Sequence, residues 1–119
     1  MANPNIVNVT DIRGKTAVQA VGTTAAAIVS NSAGSNKIFK INSLTIANVD
    51  GVNSANISVD IFRSSVAYEI AHTIAVPADS TLVVISKDTS IYLEEGDSLR
   101  CTASAAGDID AVCSYEEIS

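Results

Sequence analysis

The aliphatic side chains constrain this sequence most: 13 Val and 14 Ile stand against only 4 Leu. β-Branched side chains lose rotamer freedom in a helix and pack well on a pleated surface, so such a chain favours strands. Turn-forming residues recur at short intervals and cut it into strand-length pieces. Ile6–Ile12 reads as extended and closed by Arg13-Gly14-Lys15, Thr16–Val21 ends at Gly22, and Thr23–Val29 runs into the polar loop Ser30–Asn36. Lys37–Val49 is one bent strand or two, because its apolar parity shifts near Ser43. Ala55–Phe62 alternates cleanly, with Ile57, Val59 and Ile61 on one face and Ser58 and Asp60 on the other. Val66–Val76 follows a Ser64-Ser65 turn, and Thr81–Ser86, apolar on both faces, predicts a strand covered on both sides. Ile91–Leu93 is short, Glu94-Glu95-Gly96-Asp97 is a solvated polar turn, and Ser98–Ser104 and Ile109–Ile118 close the chain. No segment of useful length has helical periodicity.

The expected fold is therefore all-β: an antiparallel sandwich, jelly-roll-like, of eight or nine short strands. A length of 119 residues suits one core. Residues 1–10, polar and containing Pro4, form an extended N-terminal arm that moves freely or orders on a neighbouring subunit, and residues 11–119 form the sandwich.

Charge and aromatic content narrow the partners. The net charge is −6 and the seven Lys and Arg are scattered singly, so no stripe can track phosphates or an anionic membrane surface. No apolar run reaches the length of a membrane-spanning helix. The opening residues have neither the basic nor the apolar region of a secretory signal, so the chain is expected to work where it is made or to leave inside a larger assembly. Aromatic residues make up 4%, Trp is absent, and Tyr68, Tyr92 and Tyr115 are dispersed, which leaves little to grip a sugar or a base.

The inventory for catalysis is thin. His72, the one histidine, has no Cys or Asp at ligand spacing and reads as a surface or interface residue. There is no nucleophile-elbow motif and no glycine-rich phosphate loop, so neither an enzyme nor a cofactor is expected. Glu94-Glu95-Gly96-Asp97 offers carboxylates for Ca²⁺ if backbone carbonyls complete the shell, against the plainer reading of a solvated turn. Cys101 and Cys113 fall on the apolar face of their strands, and Ala105–Asp108 reads as a hairpin turn that makes them neighbours. They are either a pair of small buried thiols or a cross-strand disulfide.

Three stretches resemble small virion structural proteins of tailed bacteriophages, of the marine and cyanobacterial phage type: the opening NIVNVTDIRGKT, the run NKIFKINSLTIANVDG, and Val76 to the end. Its most specific pieces are Ile91-Tyr92-Leu93-Glu94-Glu95-Gly96-Asp97-Ser98-Leu99 and Ser114-Tyr115-Glu116-Glu117-Ile118. The resemblance implies a non-enzymatic β-sandwich of the virion, assembled in the host cytoplasm. It points to a capsid decoration (cement) protein that binds the outer surface of the major capsid lattice and forms a homo-oligomer, plausibly a trimer. A neck or tail accessory protein is the alternative within that class, and a host-polysaccharide-binding module the alternative from another. The terminal position of Ile6, Val7, Val9, Tyr115 and Ile118 makes them the candidate partner contacts, with the Ser30–Asn36 loop beside them.

Overall fold

The computed structural model describes residues 3–119; Met1 and Ala2, which open the arm expected over 1–10, lie outside the described residues. Nine strands follow in order: β1 (Ile12–Val21), β2 (Ala26–Ser30), β3 (Ile38–Asn48), β4 (Ala55–Arg63), β5 (Val66–Val76), β6 (Thr81–Ile85), β7 (Ile91–Leu93), β8 (Ser98–Ala103) and β9 (Ile109–Ile118). One 3₁₀ turn, Lys87–Thr89, separates β6 from β7. Among the described residues no helix is long and apolar enough to cross a membrane.

Two antiparallel sheets pack face to face. Sheet A runs β1-β9-β3-β6, with β7 also on β3, and sheet B runs β2-β8-β4-β5. The pairing is nested. The β4–β5 hairpin is innermost, β3 then pairs with β6 and β7, β2 with β8, and β1 with β9. The chain thus folds back on itself like one long hairpin rolled over two layers, which is the jelly roll. β6 and β7 share the far edge of sheet A, each pairing with a different half of β3.

The period of two in the sequence becomes the two faces of each sheet. Ile57 and Val59 of β4 and Leu99, Cys101 and Ala103 of β8 point inward, and meet Ile41, Leu44 and Ile46 of β3 with Ile109, Ala111 and Cys113 of β9. Each fully buried Ile, Leu or Val contributes about 1.5–3 kcal/mol relative to its exposed state. The parity shift near Ser43 is a register break in the β3–β9 ladder between Ile41 and Ser43, so Lys37–Val49 is one strand with a bulge. Ser64 and Ser65 both adopt left-handed backbone, φ 53° and 62°, as a two-residue hairpin turn requires.

Four local expectations give way to non-local pairing. Arg13-Gly14-Lys15 is not a turn: β1 runs straight through it, with Gly14 opposite Glu116. Ile6 and Val7 lie in a turn rather than a strand. Thr23–Ala25 is non-strand chain ahead of β2. β6 lies at an edge and leaves Val83 56% exposed, so it is not covered on both faces.

Candidate functional site

The chemistry-bearing side chains are consumed in holding the fold. The turn between β7 and β8 is solvated only in part: Glu94 and Gly96 reach solvent, whereas Glu95 and Asp97 are buried, Asp97 at 1% exposure. Arg63, the last residue of β4, reaches this turn, where its Nε donates to Asp97 Oδ1 at 2.7 Å and its Nη2 donates to Asp97 Oδ2 at 2.6 Å and Glu94 Oε2 at 2.8 Å. The Glu94 backbone N–H also donates to Asp97 Oδ2, at 2.9 Å. Both carboxylates raise the Arg63 pKa further, its hydrogen bonds to Asp97 first. The four-residue turn, whose carboxylates were weighed for Ca²⁺ against a plain turn, forms an arginine clamp, and no cluster of carboxylate, His or Cys side chains among the described residues is arranged to hold a metal ion. Gly96 supplies the left-handed corner, φ 88°.

On the outer face of sheet B, Arg100 donates through Nε to Asp60 Oδ1 at 2.9 Å and stacks over the Phe62 ring at 4.0 Å. Glu117 accepts from both Lys15 and Lys37, at 2.9 and 2.8 Å, and these hydrogen bonds lower its pKa. Two buried asparagines clip opposite ends of the sandwich. Asn31 donates to the carbonyls of Lys37 and Leu93, and Asn48 to those of Asn53 and Val76. Sequence reasoning overlooked both, since an Asn beside a turn signals a loop and not which carbonyls will surround it. His72 is exposed on β5, with Nδ1 3.3 Å from Glu69 Oε1.

The two cysteines are free, fully buried thiols. They are not hairpin neighbours. Cys101 on β8 pairs with Val59 and Ala26, and Cys113 on β9 pairs with Ala17 and Leu44, so the thiols belong to opposite sheets and face each other across the interior. Ala105–Asp108 carries the chain from one sheet to the other. Burial pushes both thiols up to about 12.

The candidate partner contacts divide. Val7 is 91% exposed and Ile6 51%, on a turn in which the Asn8 N–H donates to the Asn5 carbonyl and the Val7 N–H to Asn5 Oδ1. Val9 is half-buried. Tyr115 turns inward onto Phe39, with ring centroids 5.6 Å apart, and Ile118 is buried. The arm is tethered at both ends: the Thr10 and Asp11 N–H groups donate to the Ser119 carbonyl, and Asn3 Nδ2 donates to Glu94 Oε1 at 2.8 Å. This path crosses the strand ends that carry Ile38 and Ile118, which are buried apart from the central core. Ile118 is thus used within its own chain. In the Ser30–Asn36 loop, Asn31 is buried as a clip.

The exposed apolar residues make a pattern that single-strand reading misses. Val18, Val112, Thr45 and Val83 are successive cross-strand partners on β1, β9, β3 and β6, and form one row over the outer face of sheet A. Val18 is 75% exposed and Val112 42%. A shallow groove of about 320 Å³ opens beside them, lined by Val18, Gln19, Ala20, Asp110, Ala111 and Val112. Tyr68 and Tyr92 are exposed on different sheets and build no common platform.

No known protein-family model matches the chain, and no curated protein matches it in sequence. Among solved structures it is similar to a chain from Bacillus endospore appendages, described as forming a novel family of disulfide-linked pili. The TM-score is 0.55 at 18% identity, over 98% of this chain and 92% of that one. At this identity the likeness is one of fold.

Proposed function

We propose that this protein is a structural subunit that works by packing against copies of itself and against neighbours in an ordered particle. The exterior of a phage capsid, where a decoration protein binds the major capsid lattice, is the setting its sequence resemblance favours. One observation carries the reading. β1 is a ten-residue edge strand, exposed along most of its length, in unbroken register with β9, and its outer side begins the apolar row across sheet A. A regular open edge beside exposed apolar surface is a template for association, and a monomeric protein ordinarily blunts it.

Quantitative mass spectrometry of purified virions tests the setting. A decoration protein is present in proportion to the major capsid subunits, whereas a low fixed copy number assigns it to the neck or tail. Absence from the particles removes the virion reading. A second setting, a filament, is favoured by the fold-level likeness to a chain from disulfide-linked pili. It requires the purified protein to form fibres of regular diameter by electron microscopy. Here they would form without disulfides, since both cysteines are buried.

A further inference from the structure

β1 presents its backbone to the open edge in a fixed alternation. The Asp11 N–H donates to the Ser119 carbonyl and the Ser119 N–H to that of Asp11, both at 2.9 Å, so the two form a hydrogen-bonded pair of the antiparallel ladder. The register with β9 then continues without a break. Arg13, Lys15, Ala17, Gln19 and Val21 therefore direct their N–H and C=O groups to β9. Ile12, Gly14, Thr16, Val18 and Ala20 turn theirs outward, where no strand takes them.

The other edges of the molecule offer no equal. β2 has five residues and a register shift against β8, the β5 ladder breaks twice, and β6 and β7 span five and three residues. The best match for β1 in a second copy is β1 itself. A row of alternating donors and acceptors is self-complementary about a two-fold axis.

Side chains choose the register. With Thr16 opposite Thr16 of the second copy, the outer face sets large against small. Ile12, 58% exposed in the single chain, meets Ala20. Val18, 75% exposed, meets Gly14, around whose missing Cβ nothing lies within 4 Å. On the other face Arg13 comes opposite Gln19. Arg13 forms no ion pair among the described residues, and Gln19 Oε1 is a buried acceptor with no donor among them, so each brings what the other lacks. Sliding the pair toward the start of β1 sets Lys15 against Lys15, and then Arg13 against Lys15 or Arg13. Like charges directly opposite are destabilising. Sliding it the other way draws Gly22, where the chain leaves sheet A, into the joint.

We infer that two copies of this chain join by antiparallel pairing of β1 with β1, centred on Thr16, so that their A sheets become one continuous sheet. The contact is isologous and closes at two copies. It rests on the structural-subunit reading and names the strand that joins the subunits.

The test uses the full chain. Thr16→Pro removes an N–H that faces the open edge, so the β1–β9 ladder keeps its bonds, which a thermal melt checks. In sedimentation velocity wild type forms a dimer, and Thr16→Pro weakens association by about tenfold or more through the bonds lost at the centre of the joint. Cysteine cross-linking with oxidised glutathione reads the register even if the proline variant folds poorly. Thr16→Cys cross-links across the axis, where the Cα atoms of a hydrogen-bonded pair stand about 5.5 Å apart. Val18→Cys, whose two copies stand several residues out of step, does not. Cys101 and Cys113 are buried and stay out of the reaction. If a folded Thr16→Pro associates as wild type does, or Thr16→Cys cross-links no better than Val18→Cys, the β1–β1 joint is wrong. If wild type stays monomeric at every concentration reached, it is wrong as well. In each case the structural-subunit reading stands or falls separately, with the protein's presence in purified particles.

Discussion

β1 and β5 are the two long edge strands, one on each sheet, and they manage exposure in opposite ways. β1 pairs residue for residue with β9 over its whole length. β5 spends eleven residues against the nine of β4, and its register breaks twice, between the partners of Ile57 and Val59 and of Val59 and Asp60. One of these bulges places Thr73 at φ 52°, where its N–H donates to the Ser58 hydroxyl oxygen at 2.9 Å. Bulges twist an edge away from further pairing. β5, which exposes Val66, Tyr68, Ile70 and Ile74, is blunted by its backbone, and β1 is left regular. Of the two long edges, one is therefore protected and one available, and an assembly role draws on the second.

The largest effect expected within this comparison is chemical. A rise of the thiols from 9.0 to about 12 leaves about a thousandfold less thiolate at neutral pH, before any loss of access. Cys113 sits beside β1's partner positions and Cys101 in sheet B, so each thiol reports one sheet. Both should react with a thiol reagent only at the rate of global unfolding. Faster labelling of Cys113 in a Cys101→Ala variant would show that sheet A opens by itself at the β1 edge.

Next comes the anchor at the turn end of the β4–β5 hairpin. Arg63→Ala strands the buried Asp97 carboxylate and should cost about 2–3 kcal/mol in denaturant unfolding, below the value for a fully buried pair because half of Arg63 is in water. Lys15→Ala on β1, an exposed partner, should change stability far less.

Two backbone substitutions should stabilise for opposite reasons. At Thr73 a β-branched residue sits at positive φ, and Thr73→Gly relieves about 1–2 kcal/mol of strain, partly offset by glycine's entropy, for a net gain of roughly 0.5–1 kcal/mol. At Gly14 the backbone is extended and an added Cβ meets nothing within 4 Å, so Gly14→Ala should gain about 0.5 kcal/mol. Thermal melts check both. Exchanging the effects, with Gly14→Ala destabilising, would mean that β1 is not the regular strand described.

The smallest effect is a pH dependence of β1. Glu117 has a folded pKa below its ordinary value of 4.5, so its pairs with Lys15 and Lys37 contribute above that value and are lost as pH falls through the lowered one. Lys15 is raised from 10.5 by the same hydrogen bond, so its share is present below 10.5 and lost as pH rises through the higher folded value. The protection factors of the first residues of β1, taken relative to the intrinsic exchange rate at each pH, should fall in acid, and Glu117→Gln should remove that dependence.

Much of the fold was legible in the residues. The alternation of Ile57, Val59 and Ile61 placed the inner face of β4, the parity shift near Ser43 located the bulge, and Ser64-Ser65 marked the innermost hairpin. The candidate surface was less so. Ile6 and Val7 were found from their terminal position, but Ile118 proved buried, and Val18, Val112 and Val83 went unnoticed because each is unremarkable on its own strand. Glu94 and Asp97 signalled a polar turn, and nothing near them in sequence announced Arg63, 31 and 34 residues away.

By itself, then, the sequence determined which segments extend and which face of each is apolar, because side-chain branching and a period of two act over a few residues. Only the tertiary structure decided who pairs with whom. It set the thiols on opposite sheets, drew Gly14 into a strand, left Val83 at an edge and lined up four side chains from four strands. Those outcomes depend on contacts between residues distant along the chain, where a strand's alternation specifies the side that must be covered and not the neighbour that covers it.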